Sequence, residues 1–248
     1  MTDETVVTNY EELHYYASQL QNYLVQVLQL ESVACKDWLT NKVDRCVGGK
    51  VAKQQCAGVL QLPLNNVGVM ALDYNGKEGI ATSIGHSPLT ALISPTAGSR
   101  NAIAEALTNI VWAPLKDGLQ SVSLSANWMW ACRNKGEDAR LYEAVEAASN
   151  FAIELGINIP TGKDSLSMKQ KYPEGGDVIA PGTVIISAAA HCTDVQKVVE
   201  PVLKRNGGNI YYINFSGAHF ELGGSAFAQV LNKIGDKAPT ITDAEGFK

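Results

Sequence analysis

The sequence predicts a mixed α/β fold, leaning to α+β, on three observations. Apolar runs of strand length alternate with two long stretches at helical spacing. Hydrophobic residues make up 46% of the 248 positions and charged residues only 18%, enough apolar surface for a real core and too little charge for broad disorder. No repeat of roughly 20–50 residues is visible, so a solenoid or propeller is not expected.

The elements follow in order. Leu13, Tyr16, Leu20, Leu24 and Val27 recur at helical spacing, which predicts a helix over residues 10–30 with Thr8 or Asn9 as its cap. Residues 31–66, including DRCVGGKVAKQQCAG, have no clean period and read as a long loop. VGVMALD, Val67 to Asp73, reads as a buried strand that delivers a carboxylate at its end. Asn75-Gly76 predicts a tight hairpin turn into a partner strand from Gly79 to Ile84. Pro88 and Pro95 punctuate a loop or short helix.

Ser99 to Trp112 is predicted as a helix capped by Ser99, with Ile103, Leu107, Ile110 and Val111 as its apolar stripe and Pro114 beyond its end. Val122 to Trp128 reads as a strand. Glu137 to Leu155 is a second helix, with Leu141, Val145, Ala148, Ala152 and Leu155 on one face. Glu137 and Asp138 favour its start and Gly156 suits its C-cap. INIP is a short apolar segment leading into a loop, TGKDS; YPEGGD is another loop; Thr183 to Ala190 is a buried strand. Asn209 to Asn214 reads as a strand and Gly223 to Ile234 as a short helix, the opening of a second domain that is cut short. The expected organisation is a helix and linker over 1–31, a domain over 32–194 and an incomplete domain over 195–248.

A formal charge of −5 and the absence of basic runs give no drive toward nucleic acid or anionic lipid. No stretch reaches the ~20 apolar residues that cross a bilayer, and the acidic start MTDETVVTNYEELHYY is no secretory signal. Five cysteines without a CxxC pair argue against a zinc site or a disulfide framework and for a reducing cytoplasm.

Three groups of residues could carry chemistry. Glu105 and Asn109 stand four apart on one helix face, and a carboxylate with an amide oxygen suits Mg²⁺; Asp73 at a strand end is a third candidate. On pattern alone the same residues read first as a solvated helix face and a turn acid, since exposed polar faces are the norm. Thr161-Gly162-Lys163-Asp164-Ser165 joins glycine and lysine as phosphate loops do, yet GxxxxGK[ST] fails at Asp164 and in the spacing to Gly156, leaving a different substrate loop or a surface turn. Ser125 and Asn127 end a strand, where small polar residues meet ligands or simply border Trp128 and Trp130 in a core. His14, His86, His191 and His219 show no metal spacing, and no nucleophile elbow exists.

The segments DRCVGGKVAKQQCAG, ATSIGHSP, AEALTN, LSANWMWA, GEDARLYEAV, TGKDSLSM and ISAAAHCTD resemble the phosphoribosylformylglycinamidine synthase family in its large single-chain form, from about Leu28 onward. GGNIYYINF and ELGGSAFAQVL are similar to a later part of the same family. The resemblance implies an aminoimidazole-ribonucleotide-synthetase-like N-terminal domain, a mixed sheet covered by helices on one face, here from the second of two copies, followed by the start of its C-terminal companion. It implies an ATP- and glutamine-dependent carbon–nitrogen ligase of purine synthesis. Asp73, Glu105 and Asn109 would then hold Mg²⁺ at an auxiliary ATP/ADP site, with Leu72 against the nucleotide. Gly162, Lys163, Asp164 and Ser165, with Ser125 and Asn127, would line a catalytic cleft shared with the first copy. The implied partners are the remaining domains, including the glutaminase, and a small nucleotide substrate; a homodimer through an exposed sheet face is a further expectation. The ETHNHP-type histidine segment and the glutaminase cysteine are absent, so inactivity in isolation is expected. The rival readings are a scaffold module whose nucleotide is purely structural, and a superfamily relative such as selenophosphate synthetase or thiamine-phosphate kinase, whose DGVGTK-like or DSLVEG-like segments are not found.

Overall fold

Small residues on one face of a single strand set the architecture. The computed structural model describes residues 8–35, 45–46, 48–217 and 220–248. Its main sheet holds β1 (Val51–Lys53), β2 (Gly68–Ala71), β3 (Gly79–His86), β4 (Ser123–Met129), β5 (Asn158–Ser165) and β8 (Thr183–Cys192), in the order β1-β2-β3-β8-β4-β5. β4 and β5 run parallel; every other pair in this sheet is antiparallel. β6 (Lys169–Lys171) and β7 (Asp177–Ile179) form a separate exposed hairpin.

β3 alternates buried and exposed residues along its whole length. Gly79, Ala81, Ser83 and Gly85 point inward, and α3 (Pro95–Ile110) lies on them. Gly85 allows the closest approach: an added Cβ would overlap the Ala102 carbonyl oxygen and the Ala106 nitrogen of α3. The buried Ser83 hydroxyl donates to the Ala106 carbonyl at 2.6 Å. α4 (Glu137–Leu155) packs beside α3, and the core closes around Ile103, Leu107, Ile110, Leu124, Phe151 and Ile186. Helices thus cover one face of a mixed sheet, as the family resemblance implies.

Several expectations are corrected. The first helix, α1 (Leu20–Gln29), starts after a short 3₁₀ turn at Ala17–Gln19 with no side-chain cap, so neither Thr8 nor Asn9 caps it. Its buried residue is Tyr23, which meets Phe227 edge to face at 5.3 Å, while Tyr16, Leu20 and Leu24 are exposed. Asn75-Gly76 does not make a two-residue turn: Ala71 pairs with Gly79 across a longer loop, in which Asp73 accepts the N–H groups of Asn75 and Gly76. α3 begins at Pro95, capped by Ser94, whose hydroxyl accepts the Ala97 N–H at 3.2 Å; Ser99 is buried inside it. A separate short helix, α2 (Pro88–Ile93), precedes it.

TGKDS is a strand rather than a loop, the second half of β5. Asn209–Asn214 forms no strand, and Ile210, Tyr211 and Tyr212 stay exposed, because no neighbouring edge pairs with them. The helix expected at Gly223 to Ile234 shrinks to α5 (Ala226–Val230), which packs against α1. The last helix, α6 (Ala244–Phe247), packs on α4 through Phe247 and Phe151. His219 lies outside the described residues.

The cysteines differ sharply in environment. Burial and the nearby Asp138 and Glu137 carboxylates push the Cys132 thiol pKa up, and burial pushes Cys192 up. Both are therefore less ionised near neutrality than a free thiol. Cys35 and Cys46 are exposed. Iodoacetamide near pH 7.5 is expected to modify Cys35 and Cys46 first, with Cys132 and Cys192 protected until the chain is denatured. Peptide mass spectrometry checks this, and early labelling of Cys132 would contradict it.

Candidate functional site

The uncovered face of the sheet, where alternation leaves Thr82, Ile84 and His86 of β3, Ser125 of β4 and Ser187 of β8 pointing away from the helices, forms a groove of about 760 Å³. Period-two alternation makes all five legible as one face once the strands are ordered. The groove turns around the free edge of β3 to reach Glu105 and Asn109 on α3.

That edge explains the two side chains. β2 stops at Gly68, opposite Thr82, so the rest of β3 has no strand on that side. Glu105 Oε2 accepts the His86 N–H at 2.6 Å, and Asn109 Nδ2 donates to the Ile84 carbonyl at 3.0 Å. Two helical side chains thus replace the missing strand's hydrogen bonds. The pairing also fixes the amide: with its NH₂ on Ile84, Asn109 presents Oδ1, and Glu105 retains its second oxygen.

Asp73 is not brought to this pair. It follows β2 in the loop beyond Gly79, whereas Glu105 sits at His86, the other end of β3. Seven strand steps of ~3.3 Å separate the two ends by about 23 Å. The three residues therefore cannot share one ion within this chain, which corrects the predicted triad. Leu72 is displaced with Asp73; its carbonyl accepts from Lys50 Nζ at 3.0 Å. The local role of Asp73 is the turn: the Gly76 and Asn75 N–H groups hold its carboxyl below the usual range. A depressed carboxylate pKa stabilises the loop above the unfolded value, and that contribution is lost as pH falls through the folded one.

Register sets the second group. Ser125 pairs with Thr161, Ala126 with Gly162, Asn127 with Lys163, Trp128 with Asp164 and Met129 with Ser165. Ser125 and Thr161 line the groove, while Asn127 and Lys163 to Ser165 lie farther along the two strands. Gly162 serves strand packing, because a Cβ there would overlap the Ala126 carbonyl oxygen. Lys163 Nζ donates to Ser165 Oγ at 2.6 Å. The buried Asn127 Oδ1 has no donor among the described residues. No group of three His, Cys, Asp or Glu arranged for a metal occurs among the described residues, and no helix there is long and apolar enough to cross a membrane. His86, Thr82 and Ser187 join the site without having been singled out from the sequence.

Residues 35–191 match the family model described as the FGAR-AT PurM_N-like domain. A probable phosphoribosylformylglycinamidine synthase of Caenorhabditis elegans is 48% identical over 88% of this chain, and the Homo sapiens phosphoribosylformylglycinamidine synthase is 44% identical over 88%. The chain spans only 16% of the length of either relative. The solved structure of PurLQS from Thermotoga maritima superposes with a TM-score of 0.51 at 15% identity, covering 80% of this chain and 28% of that one, and shows the same fold. With the family model covering well over half of its residues, the chain belongs to the FGAR-AT PurM_N-like domain family.

Proposed function

We propose that this chain acts as part of a phosphoribosylformylglycinamidine synthase, an ATP- and glutamine-dependent carbon–nitrogen ligase of purine synthesis located in the cytoplasm. The chain supplies the rim and floor of a nucleotide groove. The observation that carries this reading is the Glu105–Asn109 pair, which offers two oxygens at the edge of a groove in a chain of this family.

The donor set fits Mg²⁺. A carboxylate oxygen and an amide oxygen are hard ligands, and magnesium takes few protein ligands and completes its shell with water and phosphate. When bound, the ion would neutralise diphosphate charge. Glu105 and Asn109 would hold it while their other atoms keep β3 fixed, so ligand geometry and strand position are coupled. Ser125 would orient ligand from the floor. Asn127, with its unpaired buried oxygen, and Gly162 to Ser165 would border the adjoining cleft for the nucleotide substrate.

The uncovered face mixes apolar Ile80 and Ile84, about half exposed, with hydroxyls. The first synthetase-like copy of the same synthase is the proposed occupant, with the glutaminase domain elsewhere in the full-length synthase. In isolation a homodimer through this face is the substitute, and sedimentation should show concentration-dependent self-association that Ile84→Lys abolishes.

Glu105→Gln tests the metal role, since glutamine keeps an acceptor for the His86 N–H and loses the charge. In a protein carrying the flanking domains, Mg–ADP affinity by calorimetry should fall at least about tenfold with little change in melting temperature. Unchanged Mg–ADP affinity would remove Glu105 from the site.

A further inference from the structure

We propose that Ser83 is the positioning residue of the Glu105–Asn109 pair, holding α3 in register on β3 so that both side chains reach the groove; the inference rests on the metal reading of that pair. The strand beneath α3 presents Gly79, Ala81, Ser83 and Gly85, and the helix meets Gly85 with Ala102 and Ala106. Surfaces this small approach closely but interlock poorly, because shallow ridges leave a helix free to slide or turn in place. Directional bonds must then set the register.

Among the described residues, three side-chain hydrogen bonds join β3 to α3. Two are those of Glu105 with the His86 N–H and of Asn109 with the Ile84 carbonyl. They lie at the exposed edge, and a ligand would draw on the same two side chains. The third is buried: Ser83 is 5% exposed, and its hydroxyl donates to the Ala106 carbonyl at 2.6 Å. Ala106 directly follows Glu105 and stands three residues before Asn109, so this bond fixes the turn of helix that carries both. It takes nothing from the groove and persists whatever the pair holds. Within the helix the Ala106 carbonyl also accepts the Ile110 N–H in the regular i→i−4 pattern, and its second lone pair serves Ser83. Deleting the hydroxyl therefore strands no buried partner: global stability changes little while the register is released.

The test is Ser83→Ala. In the 248-residue chain, hydrogen exchange followed by NMR should show the His86 amide, held by Glu105, exchanging at least about tenfold faster, while the amides of β8 keep wild-type protection. In a protein carrying the flanking domains, Mg–ADP affinity by calorimetry should fall about tenfold, the usual effect of losing a group that orients a ligand side chain. Ile103→Val is the control, a truncation of a fully buried residue on the same helix that makes none of the three bonds. Its melting temperature should fall by a similar few degrees with both readouts unmoved. Equal movement of both readouts in Ile103→Val would make Ser83 an ordinary core residue and overturn the proposal. Unchanged affinity in Ser83→Ala, where Glu105→Gln lowers it, would also overturn it and leave the metal reading standing. Unchanged affinity in Glu105→Gln would instead remove the metal reading, and with it the pair that Ser83 positions.

Discussion

Gly85→Ala should destabilise the chain by about 3 kcal/mol, the upper range for forcing a methyl into a packed interior. The added carbon would fall on the Ala102 carbonyl and the Ala106 nitrogen, and within 3.0 Å of Glu105 Cβ. Neither wall yields cheaply. One is helix backbone, and the other is a strand registered residue by residue against β8, with Gly85 opposite Ile186. The helix must lift. Lifting it stretches the Ser83 bond to Ala106 and draws Glu105 and Asn109 away from His86 and Ile84. The substitution should therefore damage stability and groove geometry together, unlike Glu105→Gln. Urea unfolding should show a lower midpoint at unchanged slope. A midpoint equivalent to less than about 0.5 kcal/mol of change would show that the helix is not seated on this glycine.

Phe151→Ala is expected to cost about 3–5 kcal/mol, the usual loss for a buried aromatic. Phe151 is fully buried on α4. It carries the Arg100 guanidinium 4.5 Å from its ring centre and meets Phe247 at 5.9 Å. Truncation leaves a cavity and strips Arg100, whose Nε already lacks a hydrogen-bond partner, of its ring. Against a typical total of about 5–15 kcal/mol, that removes a large share of stability. The last helix should loosen first, because Phe247 loses its anchor. Thermal melting combined with limited proteolysis checks both effects. Wild-type melting, or no added cleavage in residues 231–248, would contradict this account.

The long elements were legible because their pattern is strong and local. Glu137 to Leu155 is found over the predicted span, with Gly156 in the left-handed conformation at φ 72°. Thr183 to Ala190 and Val122 to Trp128 read as strands from their apolar runs, and β8 and β4 are found there, β8 running on to Cys192 and β4 lying over Ser123–Met129. The weak readings failed where a neighbour decides. TGKDS has a turn composition, yet an adjacent parallel strand, β4, recruits it into the sheet. Asn209–Asn214 has strand composition and no edge to join. The Asn-Gly signal lost to Asp73, whose carboxylate captured the turn.

By itself the sequence determined the α/β class and the adjacency of Glu105 and Asn109, since both depend on periodicities of two and 3.6 residues, while the helix-covered mixed sheet was implied by the family resemblance. Tertiary structure decided what those residues do. A short β2 left the edge of β3 open, so the pair became its hydrogen-bonding partner, and the length of β3 carried Asp73 away from it. Strand order and strand length are long-range quantities, set by how whole elements pack, and no local spacing encodes them.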